Sequence, residues 1–318
     1  MRRFLSAKKS YLTAIVSILA VSSALAQISI AKNGTPGWYR MRLGNFEVTA
    51  LSDGMLQLPV DKMFTKVNPS RIRSLLSRSG LSNDVRTSVN AFLVNTGSRL
   101  VLIDTGTGTS QMFGPNLGNL LANLQAAGYS PDQVDEIYVT HLHTDHIGGL
   151  TRDGTPSFAN ATIRADVREA GRYLSQAQMD AAPADEREDY ESAMTIFKPY
   201  IAAKKFKPFD GETQLIPGVR AMPAPGHTPG HTVYVLESRG ERMVVWGDLM
   251  HVAALQFPLP SATVQTDWNT LQSAQQRRLI FADVAKHGYF AAAAHVAFPG
   301  IGKLRLEGDG YAWVPVRR

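Results

Sequence analysis

Thr140-His141-Leu142-His143-Thr144-Asp145-His146-Ile147-Gly148-Gly149 puts three imidazoles and a carboxylate within six consecutive positions. The preceding run, Glu136 to Thr140, alternates and is rich in β-branched residues, so it reads as a strand. The glycine pair that follows stops any regular element. The cluster is therefore expected on a loop at a strand end, where side chains can converge as a strand of period two does not allow. Imidazole nitrogens and carboxylate oxygens at this density suit a borderline metal such as zinc. One loop histidine carries little information, and two at i and i+2 can be a surface accident. The full HxHxDH pattern is rare by chance.

Further histidines and acids follow strands elsewhere. Leu100 to Asp104 ends in Asp104-Thr105-Gly106, which alone is only turn chemistry. Ala224-Pro225-Gly226-His227-Thr228-Pro229-Gly230-His231 is a second Gly/Pro loop, leading into the strand Thr232 to Leu236. Met243 to Trp246 reads as a buried strand closed by Gly247-Asp248, and Ala291 to Ala294 leads to His295. Paired strands are expected around Gly44-Asn45 and around Thr96-Gly97. Helices are expected at Pro69–Ser77 with Asn68 as cap, Leu117–Leu124, Ala165–Leu174, Ser192–Phe197 and Asn269–Lys286. The acidic stretch from Met179 to Glu191 reads as a surface excursion, and Lys204, Lys205 and Lys207 as a solvated face.

In this order, Asp104, HLHTDH, His227, Asp248 and His295 resemble the motifs of the metallo-β-lactamase-fold superfamily, over essentially all of residues 39–318. The resemblance implies an α+β fold, a four-layer αβ/βα sandwich with the site along one edge. It implies two divalent ions, zinc by preference. One would be held by His141, His143 and His227, and the other by Asp145, His146 and His295. Asp248 would bridge them, with a hydroxide opposite. Asp145 and Asp248 are the carboxylates expected at the chemistry. Asp104 would hold a ligand in place instead of binding metal, and His231 either ligates or, as we expect, hydrogen-bonds its loop. Two such ions activate water at neutral pH and polarise the electrophile. No serine or cysteine nucleophile is needed: there is no Gly-x-Ser-x-Gly, and the chain has no cysteine.

His143 stands where flavo-diiron oxidoreductases carry Glu, which favours a hydrolase, and the absent cysteine excludes Cys-ligated metallo-β-lactamases. The branch most resembled is that of methyl parathion hydrolase with its dihydrocoumarin-hydrolase and lactonase relatives. The runs that carry this include Gly37-Trp38-Tyr39-Arg40-Met41, Leu51-Ser52-Asp53-Gly54, Leu58-Pro59-Val60-Asp61-Lys62, the GHTPGH loop, Val252-Ala253-Ala254-Leu255-Gln256-Phe257 and Phe298-Pro299-Gly300-Ile301-Gly302. The implied substrates are lactones, aryl esters and organophosphate triesters. Acyl-homoserine lactones and thioesters are the alternative. Phe113, Tyr173, Tyr190 and Trp268 are candidate pocket aromatics, each of which can equally be ordinary core. His251, three residues past Asp248, is expected in the pocket. The phosphotriesterase resembled has an apolar residue there and its lactonase relatives have His, so the resemblance implies lactones or aryl esters as main substrates and phosphotriesters as a side activity.

The N-terminus reads as an address. Arg2, Arg3, Lys8 and Lys9 precede the apolar run Tyr11 to Val21, which is too short to span a bilayer. Ala24-Leu25-Ala26 is a cleavage pattern, so residues 1–26 are expected to be a signal peptide and 27–38 a flexible arm. Arg2-Arg3-Phe4-Leu5 also has the look of a twin-arginine signal. Export to a periplasm or beyond follows, with no stable membrane anchor after cleavage. The net charge of +6 falls to +2 without the four basic residues of that segment, so the basicity implies no nucleic-acid partner. The partner is a small-molecule substrate, and the reading leaves room for a homodimer.

Overall fold

The computed structural model describes residues 37–64, 66–110 and 112–317. The expected signal peptide and nearly all of the expected arm lie outside the described residues. Gly37 and Trp38 are the exceptions: the Gly37 carbonyl accepts from the Ser52 amide at 2.9 Å, and Trp38 opens the first strand.

The first sheet has six strands in spatial order β1 to β6: Trp38–Leu43, Phe46–Pro59, Asp84–Asn95, Leu100–Ile103, Glu136–Tyr138 and Thr162–Arg164. Neighbours from β1 to β4 are antiparallel, and β4, β5 and β6 run parallel. The second sheet takes β7 to β13: Thr213–Ile216, Val219–Pro223, Thr232–Ser238, Glu241–Val245, Phe290–Ala292, Ile301–Glu307 and Gly310–Pro315, again side by side in sequence order. Only the β10–β11 pairing is parallel.

Period-two alternation builds the layers. Val101 and Ile103 of β4 meet Tyr234 and Leu236 of β9 and Met243 and Val245 of β10 in a core between the two sheets. The alternate residues face outward. Leu100 and Leu102 pack with Leu120, Leu124, Ala193 and Phe197 of the helices Leu120–Ala126 and Arg187–Ala202. Val233, Val244 and Trp246 pack with Ile280, Phe281 and Val284 of the helix Thr270–His287. The result is a helix–sheet–sheet–helix sandwich, as the motif order implies. Among the described residues no helix is long and apolar enough to cross a membrane.

Several expected boundaries move. The Gly44-Asn45 turn is as read, but β2 runs on to Pro59 through an irregularity between Ser52 and Gly54. Helix Pro69–Arg78 is capped by Asn68, whose side chain accepts from the Ser70 amide. The HLHTDH segment is not all loop. Thr144–Ile147 forms one helical turn and Gly148–Leu150 a 3-10 turn, because the cluster is buried and its backbone groups need internal partners. The acidic excursion is likewise corrected: Gln176–Ala181 is helical, and the helix beginning at Arg187 takes in the residues up to Ala202. Tyr190, Ala193 and Phe197 give that helix a buried stripe that outweighs the polarity of its first turn.

Candidate metal centre

The motif residues meet at one edge of the sandwich. Asp104 follows β4, His141 to His146 follow β5, Asp248 follows β10 and His295 follows β11, while His227 lies in the β8–β9 loop. Two backbone features set this up. Asp104 has φ of 60°, a left-handed conformation that few non-glycine residues adopt and that tends to accompany functional sites. Gly247 has φ of 48°, and a Cβ there would fall 2.7 Å from the Thr140 hydroxyl, so only glycine fits beside Asp248.

The donors form two groups, each with its ligand atoms within 4.8 Å of one another: His141, His143, His227 and Asp248, and Asp145, His146 and His295. In the first, His143 Nδ1 is 3.0 Å from His141 Nε2 and 3.1 Å from His227 Nε2. In the second, His146 Nε2 and His295 Nε2 lie 3.5 and 3.4 Å from Asp145 Oδ2. Asp248 joins the groups. Its Oδ1 is 3.0 Å from both His146 Nε2 and His295 Nε2, and its Oδ2 is 3.4 Å from His227 Nε2 and 3.7 Å from His141 Nε2.

The inward atoms fit cations better than each other. His146 Nε2 and Asp248 Oδ1 are buried and 3.0 Å apart, yet neither has a properly directed hydrogen bond. Three imidazole nitrogens crowd together in the first group, where a shared cation would satisfy all three lone pairs. Each histidine is steered by its other nitrogen, as in metal sites generally. His141 Nδ1 meets the Thr140 hydroxyl at 3.1 Å, His143 Nε2 the Tyr173 hydroxyl at 3.0 Å and His146 Nδ1 Asp104 Oδ2 at 2.8 Å. His227 Nδ1 meets Asp267 Oδ1 at 3.0 Å, and His295 Nδ1 the Ser88 carbonyl at 3.0 Å.

Electrostatics separate the groups. Burial pushes the His141 pKa well below normal and that of His227 to about 4, leaving both neutral with lone pairs free. Burial opposes charge on His146 and His295 too, but the surrounding carboxylates outweigh it. Asp248, Asp145 and Asp104 hold His146 well above normal, and Asp248 and Asp145 raise His295 to about 10. Asp248 itself, despite burial, is held well below the usual carboxylate range by His295, His146, His251 and His141. The second group thus demands positive charge, which divalent cations would supply in place of protons.

A cavity of about 770 Å³ opens over the centre. Its lining includes His143, Asp145, His227, Asp248, His251 and His295. Of the expected aromatics, Phe113, Tyr173 and Trp268 line it. Tyr190 does not: it is buried in the helix-to-sheet core, its ring 5.1 Å from that of Tyr173. His251 lines the cavity and also touches Asp248 Oδ2 at 3.0 Å. His231 behaves as a loop clamp: Nδ1 lies 3.1 Å from the Ala224 carbonyl, and Nε2 accepts from the Asp248 amide at 3.0 Å. Asp267, Ser88, Thr140 and Glu169 escaped the sequence reading. Thr140 stands beside His141 but is an ordinary residue type with no signature; the other three lie at no fixed spacing from the ligands, and only the fold brings them in. The acidic residues Asp185, Glu186 and Asp189, read as part of a surface excursion, also form cavity wall.

A model of the metallo-beta-lactamase superfamily matches residues 84–278. The chain belongs to that superfamily. With this donor set it is a metal-dependent hydrolase of the fold. The crystal structure of hydrolase AbOPH in the beta lactamase superfamily superposes with a TM-score of 0.84, at 34% identity, over 90% of this chain and 99% of that one. AidC, a dizinc quorum-quenching lactonase solved with a product, gives 0.81 at 26% identity, over 89% of this chain and 98% of AidC. An N-acyl homoserine lactonase of Bacillus cereus is 26% identical over 196 residues, covering 54% of this chain and 70% of the relative. One from Bacillus thuringiensis is 26% identical over 186 residues, covering 53% of this chain and 65% of the relative.

Proposed function

We propose that this chain is a dinuclear zinc lactonase that opens N-acyl homoserine lactones or close analogues, with aryl esters and phosphotriesters as lesser substrates. The observation that carries the reading is Asp248, one oxygen turned to each donor group beneath a cavity of ligand size. The likeness to AidC and to the Bacillus lactonases points to the lactone. His141, His143, His227 and Asp248 would hold one ion; Asp145, His146, His295 and Asp248 the other. When bound, the two ions would supply activated water and polarise the carbonyl under attack.

The chain's own residues do the rest. Thr140, Tyr173, Asp104, Asp267 and the Ser88 carbonyl fix the imidazole rings so that the lone pairs stay turned inward. Asp248 and Asp145 remain ionised and balance the cationic charge. Leu56, Leu58, Met63, Met112 and Phe113 give the cavity an apolar wall that suits an acyl chain and keeps water from that side. His251, beside Asp248 and facing the cavity, offers a polar ring to a flat lactone group and takes up room that a tetrahedral phosphotriester needs. The resemblance to methyl parathion hydrolase therefore enters as a minor triester activity. From the basic and apolar leader we infer that the enzyme works after export.

The test is a panel on zinc-loaded protein: N-hexanoyl homoserine lactone, dihydrocoumarin, a phenyl ester, a thioester and paraoxon. Highest kcat/KM on the acyl lactone is expected, abolished by chelation and restored by zinc. Preference for paraoxon or the thioester, or turnover untouched by chelation, would defeat the reading.

A further inference from the structure

We propose that the Tyr173 hydroxyl determines specificity by donating its proton to a second acceptor on the substrate, beside the carbonyl that reacts. The proposal rests on the dinuclear reading above and deepens it. His143 turns Nδ1 to His141 and His227, at 3.0 and 3.1 Å, and Nε2 to the Tyr173 hydroxyl at 3.0 Å. A nitrogen that holds a metal offers its lone pair, so the ring's hydrogen must sit on the other nitrogen. His143 Nε2–H then donates and Tyr173 accepts. A phenol hydroxyl carries one proton of its own. Among the hydrogen bonds of the described residues, none takes that proton. Tyr173 and His143 both line the cavity, so a bound molecule is the acceptor within reach.

The hydroxyl is also held still. Tyr173 ends the helix Val167–Tyr173, whose Asp166 cap accepts from the Arg168 amide. One turn before it, buried Glu169 accepts from the Leu142 amide at 3.0 Å and the Gly230 amide at 2.7 Å. Glu169 thereby ties this helix to both histidine-bearing loops, and Tyr173, four residues on, shares its face. The Tyr173 ring packs on Tyr190, and the Arg172 guanidinium lies 5.4 Å from its centroid. A donor fixed in this way loses little freedom when it binds.

The chemistry of the acceptor follows. In a cavity lined both by apolar residues and by the charged Arg172, Asp185, Glu186 and Asp189, a fixed donor beside the metal centre favours a lactone that carries a second polar oxygen close to the ring, such as the carbonyl of an amide on the α carbon. A simple alkyl lactone has none. The inference is therefore for N-acylamino lactones over alkyl lactones of equal length.

The experiment compares N-hexanoyl homoserine lactone with α-heptyl-γ-butyrolactone, whose alkyl tail has the same position and length, in the wild type and in Tyr173→Phe, both with zinc content measured. Loss of the brace on His143 lowers both rates together, so the ratio isolates the donor. The kcat/KM preference for the acylamino lactone is expected to fall about three- to ten-fold, the scale of one hydrogen bond. The same shift is expected in calorimetric binding of two non-hydrolysable lactams, one with a side-chain amide and one with an alkyl tail. An unchanged ratio in both assays overturns the inference, whatever happens to the shared rate. A second measurement does not need the variant. In the wild-type lactam complex the isotope-labelled side-chain amide carbonyl should shift to lower infrared frequency, and an unshifted band overturns the inference. A wild type that turns over neither lactone and binds neither lactam removes the lactonase reading itself, which is a different failure.

Discussion

The two halves of the centre are built on opposite electrostatic plans. His141, His143 and His227 form an imidazole group beside the cavity, with His141 and His227 kept neutral by burial. Asp145, His146 and His295 form a group crowded with carboxylates, where the histidines hold protons as stand-ins for positive charge. The first plan offers ready lone pairs at little electrostatic gain. The second draws a cation strongly but must shed protons to take it. Such a centre should fill unevenly, with the two ions differing in affinity and in response to pH.

Asp248 is where the plans meet, so its loss should have the largest effect. In Asp248→Ala the two groups lose their shared carboxylate and face each other as cation sites. Turnover should fall at least about 100- to 1,000-fold, the scale of removing one preorganised electrostatic element. Elemental analysis should find at least one zinc gone. Both metals retained with a near-normal rate would show that the halves do not depend on this bridge.

The next contrast uses the residues that steer the rings. Asp104 holds His146, and Asp267 holds His227. Asp104→Asn and Asp267→Asn should each weaken zinc about 10- to 100-fold, but in different halves. A two-step zinc titration against a chelator should show one step displaced in one variant and the other step in the other. The same step moving in both would mean that the halves are a single cooperative unit.

These partners also mark where sequence reading stops. HLHTDH was legible because it is dense, and Asp104, Asp248 and His295 because each follows a β-branched or small apolar run that places it at a strand end, whereas His227 lies in a Gly/Pro loop and its place in a donor set came from the resemblance. The layers were not legible from the strands alone, because β4, β9 and β10 are nearly continuous apolar runs buried on both faces; the sandwich was implied by the resemblance to the superfamily. Asp267 was not. It lies 40 residues from the ring it holds, in a loop with no periodicity, and a lone Asp has no signature. Glu169 reads as a helix-surface residue until the fold buries it against two loops. Tyr190 failed in the opposite direction: an aromatic offered for the pocket proved to be core, because its helix turns that stripe inward. Periodicity tells which side is buried but not what lies there. The acidic stretch at 185–189 shows the same limit, since charge in sequence does not distinguish bulk water from the wet wall of a cavity.

The smallest effect, and the most direct reading of the two plans, is the stability of the metal-free protein against pH. His295 has its folded pKa raised from 6.5 to about 10. Its stabilisation is complete below 6.5 and is lost as pH rises through 10, when the carboxylates around it lose their positive partner. His227 is shifted the other way, to about 4. The unfolded chain binds the extra proton between 4 and 6.5, so that group stabilises the fold progressively as pH rises across this window. Asp248, held well below 3.8, adds stability that is present above that value and lost only in stronger acid. Together the imidazole half penalises the acid side and the carboxylate half the alkaline side. The stripped protein should therefore melt highest near pH 6.5 and lose Tm steadily towards about pH 9. In the zinc-loaded protein the cations replace the protons on His146 and His295, so that alkaline loss should vanish and the gap between loaded and stripped Tm should widen from pH 6.5 upward. Calorimetric melts of both forms across this range test it. A stripped protein whose Tm is flat or rising from pH 6.5 to about 9 would show that the carboxylate half does not lean on its imidazolium charges.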